Sequence, residues 1–176
     1  MSHSVRAATV LDAPALAAIH KANWLKLLGP DLPDLNSTLN SQDLTQTWGN
    51  AIALATGDGP YAVLVATDAN GVTVGFTALG PLLDPDAAPQ AAELVALWIT
   101  PTHQRLGHGS RLLAAAADQA RHLQHATRLS HWVARQDILR QRFLRTTGFG
   151  ADGAERSWRT PTGEIIDESR WSTQLN

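Results

Sequence analysis

Apolar side chains recur at helical spacing in two stretches near the N-terminus. The first stretch follows Asp12 and Pro14, and its apolar positions are Leu16, Ile19, Trp24 and Leu27. The second runs from about Ser41 to Ala55, with apolar positions at Leu44, Trp48, Ile52 and Ala55. Residues three or four apart share one face of an α-helix, so both stretches are predicted to be helices that bury one side. Asp12 is predicted to cap the first helix.

Short apolar runs bounded by turn residues predict the strands. They are "VRAAT", "PYAVLVATD", "GVTVGFTALG", "AELVALWIT" and "RLSHWVA", followed by a closing antiparallel pair, "ADGAERSWRT" and "EIIDESRWSTQL". The tetrapeptide "DANG" is typical of a hairpin turn between the second and third strands, and "PLLDPDAAPQ" is typical of a loop.

Two further helices are predicted between the later strands. One runs from Gly107 to Gln124, and the other is "ILRQRFLRTT", capped by Asp137 and ended by Gly148. The resulting order, β-α-α-β-β-β-α-β-α-β-β, predicts a mixed α/β (α+β) layered fold rather than a regular alternation.

Size and composition narrow the function classes. The 176 residues suit one domain, 1–176, and 14 basic against 16 acidic residues give a net charge of −2, which offers no basic face for nucleic acid. No apolar run approaches the roughly 18 residues of a membrane span, and the N-terminus has no signal-peptide pattern, so a cytoplasmic location is expected. The chain has no cysteine, which excludes a thiol nucleophile and disulfides, and no metal site is expected.

A glycine-containing turn, "TPTHQRLGHGSRLL", joins the most apolar strand to a long helix. The P-loop string is absent, and Leu112 stands where a dinucleotide fingerprint needs its third glycine. The helix begins without a Ser, Thr, Asp or Asn cap, so its first N–H groups need another acceptor. Glycines would let a phosphate approach that backbone, and Arg105 and Ser110 would add donors. A plain tight turn is the alternative.

The string "QRLGHG" fits the Q/R-x-x-G-x-G/A signature of the GNAT superfamily of N-acetyltransferases, and "FLRTTGF" resembles that family's last-helix motif. The resemblance is strongest from Glu93 to Phe149. It implies the GNAT fold, a mostly antiparallel mixed sheet of about seven strands flanked by four helices, and acetyl-CoA as acetyl donor. It implies that the pyrophosphate is held by Gln104, Arg105, Leu106, Gly107, His108, Gly109 and Ser110, and that pantetheine lies along Leu97, Trp98 and Ile99.

The last helix departs from the family pattern. The usual Asn-x-x-Ala-x-x-Phe-Tyr aligns with Asp137, Arg140, Phe143 and Leu144. The family's tyrosine is credited with protonating the leaving thiolate, which Leu144 cannot do. Since a thiol has a pKa of about 8.5, the loss should slow acetyl transfer rather than forbid it. Asp137 and Phe143 are expected near the cofactor, although helix capping also explains Asp137.

Two residues are candidates for acid–base chemistry. Glu93, fourteen residues before Gly107 at the start of the central strand, matches the general base of the histone-acetylating branch. The alternative is a glutamate at the surface end of a strand. His131 lies in the strand predicted to neighbour the cofactor strand, where a structural histidine is the alternative.

The acceptor side is predicted on the first two helices and the loop between them. Trp24, Asp31 and Trp48 would suit a cationic amine through cation–π contact and charge. Packing in the core is the alternative for both tryptophans. A polyamine or amino compound is the expected acceptor, with a protein N-terminus or lysine as the alternative.

Two other interpretations stay open. An acyl-CoA-binding sensor or scaffold with little catalysis would explain the missing tyrosine, and a nucleotide-binding domain of another fold is less compatible with the glycine pattern. By resemblance, a homodimer formed through the last strands is expected.

Overall fold

The computed structural model describes residues 4–29, 39–56, 59–160 and 163–175. Its seven-stranded sheet contains β1 (Ser4–Ala7), β2 (Ala62–Thr67), β3 (Thr73–Pro81), β4 (Ala91–Ile99), β5 (Arg128–Ala134), β6 (Gly150–Arg159) and β7 (Ile165–Gln174). Four α-helices are described: α1 (Ala13–Leu28), α2 (Ser41–Ala55), α3 (His108–Gln124) and α4 (Ile138–Thr146). The predicted element order is confirmed.

The strands are arranged in the order β1-β2-β3-β4-β5-β7-β6, and only β4 and β5 run parallel. The predicted mixed, mostly antiparallel sheet is therefore confirmed. No helix in the described part of the chain is long and apolar enough to cross a bilayer.

Helices cover both faces of the sheet, which gives two cores. One face packs with α3 and α4 around Leu112, Leu129 and Leu144, and the other packs with α1 and α2 around Leu16 and Phe76. Every residue of β2 is buried. Burial on both faces explains why the central strands form continuous apolar runs in the sequence rather than alternating patterns.

The parallel pair β4–β5 separates after three residue pairs. Ala91, Ala92 and Glu93 pair with Arg128, Leu129 and Ser130, and the ladder then ends. β5 continues along β7 as far as Ala134, while β4 continues along β3 with a bulge at Val95, which is 57% exposed. A bulge bends its strand and raises the local twist. The two strands therefore splay apart from Leu94 and His131 onward.

Helix boundaries follow the prediction, but one capping contact does not. Asp12 precedes α1 yet makes no side-chain capping bond, because both its oxygens accept from Arg6 at 2.8 Å. A bidentate guanidinium contact is stronger than a neutral cap, which explains the difference. Asp137 does cap α4, accepting from the Arg140 backbone N–H at 3.1 Å. The third helix begins at His108, with Gly107 as its N-cap.

Candidate functional site

The turn before α3 has the geometry of an anion cradle. Arg105 and Gly107 both adopt left-handed backbone angles, with φ of 63° and 85°. Gly107 is the N-cap and provides no side-chain acceptor for the first N–H groups of α3. Successive N–H groups in such a turn converge on a concave anion site, which the helix dipole reinforces. Arg105 and Ser110 are exposed beside it, so these residues fit a phosphate or pyrophosphate.

Packing beneath the turn fixes its shape. A Cβ placed on Gly109 would lie 3.5 Å from the ring of Phe143, an ordinary contact distance. Phe143 therefore supports the turn from below. The His108 side chain is buried, so the group that His108 can offer to a ligand is its backbone amide. Leu106 is 56% exposed on the outer side of the turn.

Gln104 makes hydrogen bonds within the fold at the start of the turn. Its Nε2 donates to the carbonyl of Ile99 at 3.3 Å, and its Oε1 accepts from Lys26 at 2.9 Å. The buried Asn23 also donates to the Ile99 carbonyl, at 3.1 Å. Gln104 thus ties the turn to α1 and to the end of β4. Asn23 was missed by sequence reasoning, which had no signal for a contact across 76 residues.

Where β4 and β5 separate, side chains donate hydrogen bonds to β4 carbonyls that have no partner strand there. The Nδ1 of His131 donates to Leu94, and the Nη1 of Arg140 donates to Leu97. Buried carbonyls require such partners. Side-chain hydrogen bonds therefore satisfy the edge of β4 that faces the opening between β4 and β5. Leu97, Trp98 and Ile99 lie along that edge.

A cavity of about 250 Å³ opens between the splayed strands and α1. It brings together most of the predicted catalytic and acceptor residues, because Glu93, His131, Trp24 and Trp48 all line it. Asp31 lies outside the described residues. Further lining residues that sequence reasoning had not selected include His20, Arg140, Arg156, Trp158 and Glu168.

An aromatic wall surrounds His20 in this cavity. Its ring centroid lies 5.8 Å from that of Trp48, 6.1 Å from Trp98 and 6.4 Å from Trp24. Trp158 meets Trp24 edge to face at 5.4 Å. Trp48 donates its Nε1 proton to His20 Nδ1 at 3.1 Å, and burial lowers the pKa of His20 to about 4. The wall is therefore uncharged near neutral pH.

Ion pairs neutralise all but one of the cavity's carboxylates. Glu168 accepts from Arg156 at 2.6 Å, and Asp137 accepts from Arg140 at 2.9 Å. Glu93 makes no hydrogen bond or ion pair with the described residues. Burial raises the pKa of Glu93, Arg156 opposes that rise, and the negative charges of Asp84 and Glu168 add to it. Glu93 is the one lining carboxylate within the described ranges that lacks a partner.

His131 is neutral at physiological pH. Burial, and next the nearby charge of Arg140, lower the pKa of His131 to about 3. Because a carbonyl can only accept, Nδ1 carries the proton, and Nε2 is a buried lone pair without a partner among the described residues. His131 thus presents an acceptor but binds a proton weakly.

The position of the missing tyrosine is closed to the cavity. Leu144 is fully buried in the core against α3 and the sheet. Arg140, one turn earlier, extends into the cavity instead, with its guanidinium carbon 3.9 Å from the centre of the Trp98 ring. Burial lowers the pKa of Arg140 from its ordinary value while Asp137 opposes this. A guanidinium is not deprotonated in proteins, so the group stays charged.

Three solved structures share the architecture. The PaiA N-acetyltransferase from Thermoplasma acidophilum in complex with coenzyme A is 17% identical, with 99% of each chain covered and a TM-score of 0.77. YncA from Salmonella typhimurium, with its cofactor acetyl-CoA, is 22% identical, covering 100% of this chain and 95% of that one at a TM-score of 0.73. A ribosomal-protein-alanine N-acetyltransferase from Brucella melitensis is 23% identical, covering 98% and 99% at a TM-score of 0.71.

At these identities the structural likeness concerns the fold, and a search of curated protein sequences finds no match. The model of the acetyltransferase (GNAT) family, however, matches residues 22–149, which is well over half of the chain. That range contains the anion cradle, the splayed strands and the unpaired Glu93. The chain therefore belongs to the GNAT family of acetyltransferases, acyltransferases that use acetyl-CoA.

Proposed function

We propose that this enzyme acetylates a primary amine of a small molecule by direct attack on acetyl-CoA in a ternary complex. The observation that carries the proposal is the unpaired carboxylate of Glu93 in a tryptophan-lined cavity. Aromatic faces attract a cationic ammonium group, and a single unpaired carboxylate supplies its counter-charge. A polyamine or amino compound has that chemistry.

The size of the cavity supports a small acceptor. Its volume of about 250 Å³ lies at or below the lower end of the ordinary range for small-molecule sites, roughly 300–1,000 Å³. The acetyl donor must share the opening between β4 and β5, which leaves less room still. A flexible protein N-terminus remains an outcome of the acceptor screen described below.

The donor side has residues suited to each part of acetyl-CoA. The turn Gln104–Ser110 would hold the pyrophosphate, and the open edge at Leu97–Ile99 would lie along the pantetheine arm. Phe143 supports the turn, and Asp137 orders the start of α4 beside it. Acetyl-CoA supplies an acetyl group bound through a thioester, which an amine can attack directly.

Glu93 would act as the general base. The amine first loses its ammonium proton to solvent and attacks in its neutral form. The Glu93 carboxylate accepts the second proton as the carbon–nitrogen bond forms and the carbon–sulfur bond breaks, and the electron pair of the broken bond stays on sulfur. A carboxylate whose pKa is raised by burial is a better proton acceptor than an exposed one. His131 Nε2 would be a second acceptor, and its low pKa makes it the weaker base.

An amine screen with acetyl-CoA tests the acceptor class. Released coenzyme A is measured with a thiol reagent, and because the chain has no cysteine the enzyme contributes no background. Turnover on small polyamines or amino compounds supports the proposal. Turnover confined to peptide N-termini or lysines, or acetyl-CoA binding without turnover on any amine, contradicts it in favour of protein acetylation or a sensor.

The base assignment is tested by Glu93→Gln. We expect kcat to fall by about 10²–10⁴-fold, the usual contribution of general acid–base catalysis, while affinity for acetyl-CoA stays nearly unchanged. Glu155→Gln is the matched control, because Glu155 is 64% exposed on β6 and pairs with Arg135 outside the cavity. Equal turnover in both variants would reject Glu93 as the base.

A further inference from the structure

Arg140 is a buried cation placed in the opening between β4 and β5. Its side chain is 13% exposed, its Nη1 donates to the Leu97 carbonyl, and its guanidinium carbon lies over the ring of Trp98. Its Nε donates to Asp137 at 2.9 Å. These contacts fix the guanidinium from three directions, and a guanidinium held this way is preorganised for a ligand.

The guanidinium has donors to spare. A guanidinium carries five N–H donors, of which the contacts to Asp137 and Leu97 use two. The described residues offer Nη2 no acceptor, and Arg140 lines the cavity that also contains Glu93. Arg140 can therefore donate to an anion that forms beside Glu93.

Neither of the two candidate acid–base residues has a proton to give to a leaving thiolate. His131 uses its one proton on the Leu94 carbonyl, and Glu93 is assigned to accept a proton rather than to give one. Tyr61, the only tyrosine in the chain, packs near Gly80 and is absent from the lining residues. The titratable and charged groups around Arg140 are Asp137, His131, Glu93, Arg156, Glu168 and His20.

We propose that Arg140 stabilises the leaving group of acetyl transfer as a thiolate, by a charge-assisted hydrogen bond from its guanidinium to the sulfur. The carbon–sulfur bond breaks, its electron pair stays on sulfur, and the proton lost by the amine resides on the base. Coenzyme A leaves as the thiolate and takes its proton from solvent. Charge stabilisation by Arg140 thus replaces protonation. The inference rests on the use of acetyl-CoA and is independent of the acceptor's identity.

The thiol pKa of bound coenzyme A tests this role directly. Thiolate absorbance in the ultraviolet is titrated on the complex with the enzyme, using the desulfo-CoA complex as the blank. The chain has no cysteine, so the only thiol in the complex belongs to coenzyme A. A cation within hydrogen-bonding distance should lower the thiol pKa by about 1–3 units from its free value of about 8.5.

Arg140→Gln should return the bound thiol pKa to near its free value and lower kcat. Arg140→Lys, which keeps the charge but loses the planar fork, should give an intermediate pKa. Arg142→Gln is the matched control, because Arg142 lies on the same helix and is exposed; its complex should titrate like the wild type.

A second readout separates the thiolate contact from damage to the binding surface. The ratio of coenzyme A affinity to desulfo-CoA affinity is measured above the free thiol pKa of about 8.5, where both free and bound coenzyme A are thiolates. Misfolding of the variant or damage to the binding surface lowers both affinities together. Loss of the thiolate contact instead lowers the ratio, by about tenfold for each unit by which the bound thiol pKa was shifted.

An unshifted thiol pKa in the wild-type complex, or one that Arg140→Gln leaves unchanged, would overturn the proposal. If Arg140→Gln fails to fold, the wild-type titration and Arg140→Lys decide the question alone. A failed amine screen with a shifted thiol pKa would contradict the acceptor proposal and leave the role of Arg140 supported.

Discussion

At the residue scale, one physical cause distinguishes the two candidate bases. Burial disfavours the charged form of any group, so it raises the pKa of the Glu93 carboxyl and lowers that of the His131 imidazole to about 3. The same environment therefore makes Glu93 a better proton acceptor and His131 a poorer one. The sequence contained both candidates, but it could not rank them by burial.

We expect the carboxylate of Glu93 to impose a measurable dependence on pH. Activity should fall on acidification through the raised folded-state pKa of Glu93, so the acidic limb of kcat/KM should lie above the ordinary carboxyl range, about 4.3. The limb should be lost in Glu93→Gln. A limb at the ordinary carboxyl value would contradict burial as the cause.

The raised pKa of Glu93 also predicts how the stability of the fold depends on pH. Protonation of Glu93 on acidification should lower activity but favour the folded state. Since the folded pKa of Glu93 exceeds the unfolded one, its contribution to stability is fully present below the unfolded pKa and is lost as pH rises through the folded pKa. Glu93→Gln should therefore unfold at a higher temperature than the wild type at neutral pH. The difference should vanish near pH 4, roughly where both states of the wild type become protonated. Thermal unfolding at both pH values checks this.

At the element scale, the site depends on a turn and on a separation of strands. The turn gives α3 an N-terminus without a side-chain cap, and the splay opens the edge of β4. Side chains from α1, β5, α4 and the turn itself bond the carbonyls of that edge, through Asn23, His131, Arg140 and Gln104. Hydrogen bonds from four separate elements therefore stabilise the open edge of β4.

The left-handed angle of Gly107 predicts a specific requirement for glycine. Gly107→Ala forces a Cβ into φ of 85°, which should destabilise the fold by about 1–2 kcal/mol. It should also weaken coenzyme A binding by roughly tenfold or more, because the cradle loses its shape. Calorimetric titration with coenzyme A measures the affinity.

Gly150→Ala is the matched control for that substitution. Gly150 has no left-handed angle, and a Cβ added there would meet no atom within 4 Å. Affinity and stability should stay close to those of the wild type. Equal affinity in Gly107→Ala and Gly150→Ala would show that the turn conformation is not needed for the cofactor.

At the scale of the whole molecule, Arg170 ties together the half of the sheet that carries Glu93. On β7, it donates to Asp84 and Asp86 of the β3–β4 loop and to Asp152 of β6, at 2.7–2.9 Å. Trp132 of β5 also donates to Asp84, at 3.1 Å. The loop that precedes Glu93 is therefore bonded directly by two strands, β7 and β5, and Asp152 of β6 holds Arg170 from the other side. The homodimer predicted to form through the last strands stays a prediction.

Replacing Arg170 should have a large effect on stability. Arg170→Met leaves Asp84, which is 21% exposed, without a cation, and leaves Asp152, which is 10% exposed, with only Arg128 at 3.7 Å. Breaking a buried ion pair from one side costs roughly 3 kcal/mol or more. Urea unfolding measures the loss, and Asp86→Asn is the control, because Asp86 is 63% exposed and only one of three partners. A loss no larger than that of the control would mean that the cluster contributes little.

The sequence by itself determined the elements and the glycine turn, and with them the family; the donor site at that turn is its prediction. These features depend on local rules: side-chain period, capping, and the backbone freedom of glycine in a short segment. The same local rules located the N-cap position of Asp12, but its side-chain contact with Arg6 came from packing. Glu93, Trp24 and Trp48 were selected from sequence, and the structure places all three at one cavity.

Only the tertiary structure decided what surrounds those residues. His20, Trp98 and Trp158 are far apart in the chain and meet because α1, β4 and β6 converge there. No periodicity encodes that meeting. Packing also sets how deeply each group is buried, and burial determines the direction of each pKa shift. Packing likewise directs Arg140 into the cavity and Leu144 into the core. Local patterns were enough to predict the donor, whereas the cavity proposed for the acceptor is formed by contacts between distant segments, which no local pattern encodes.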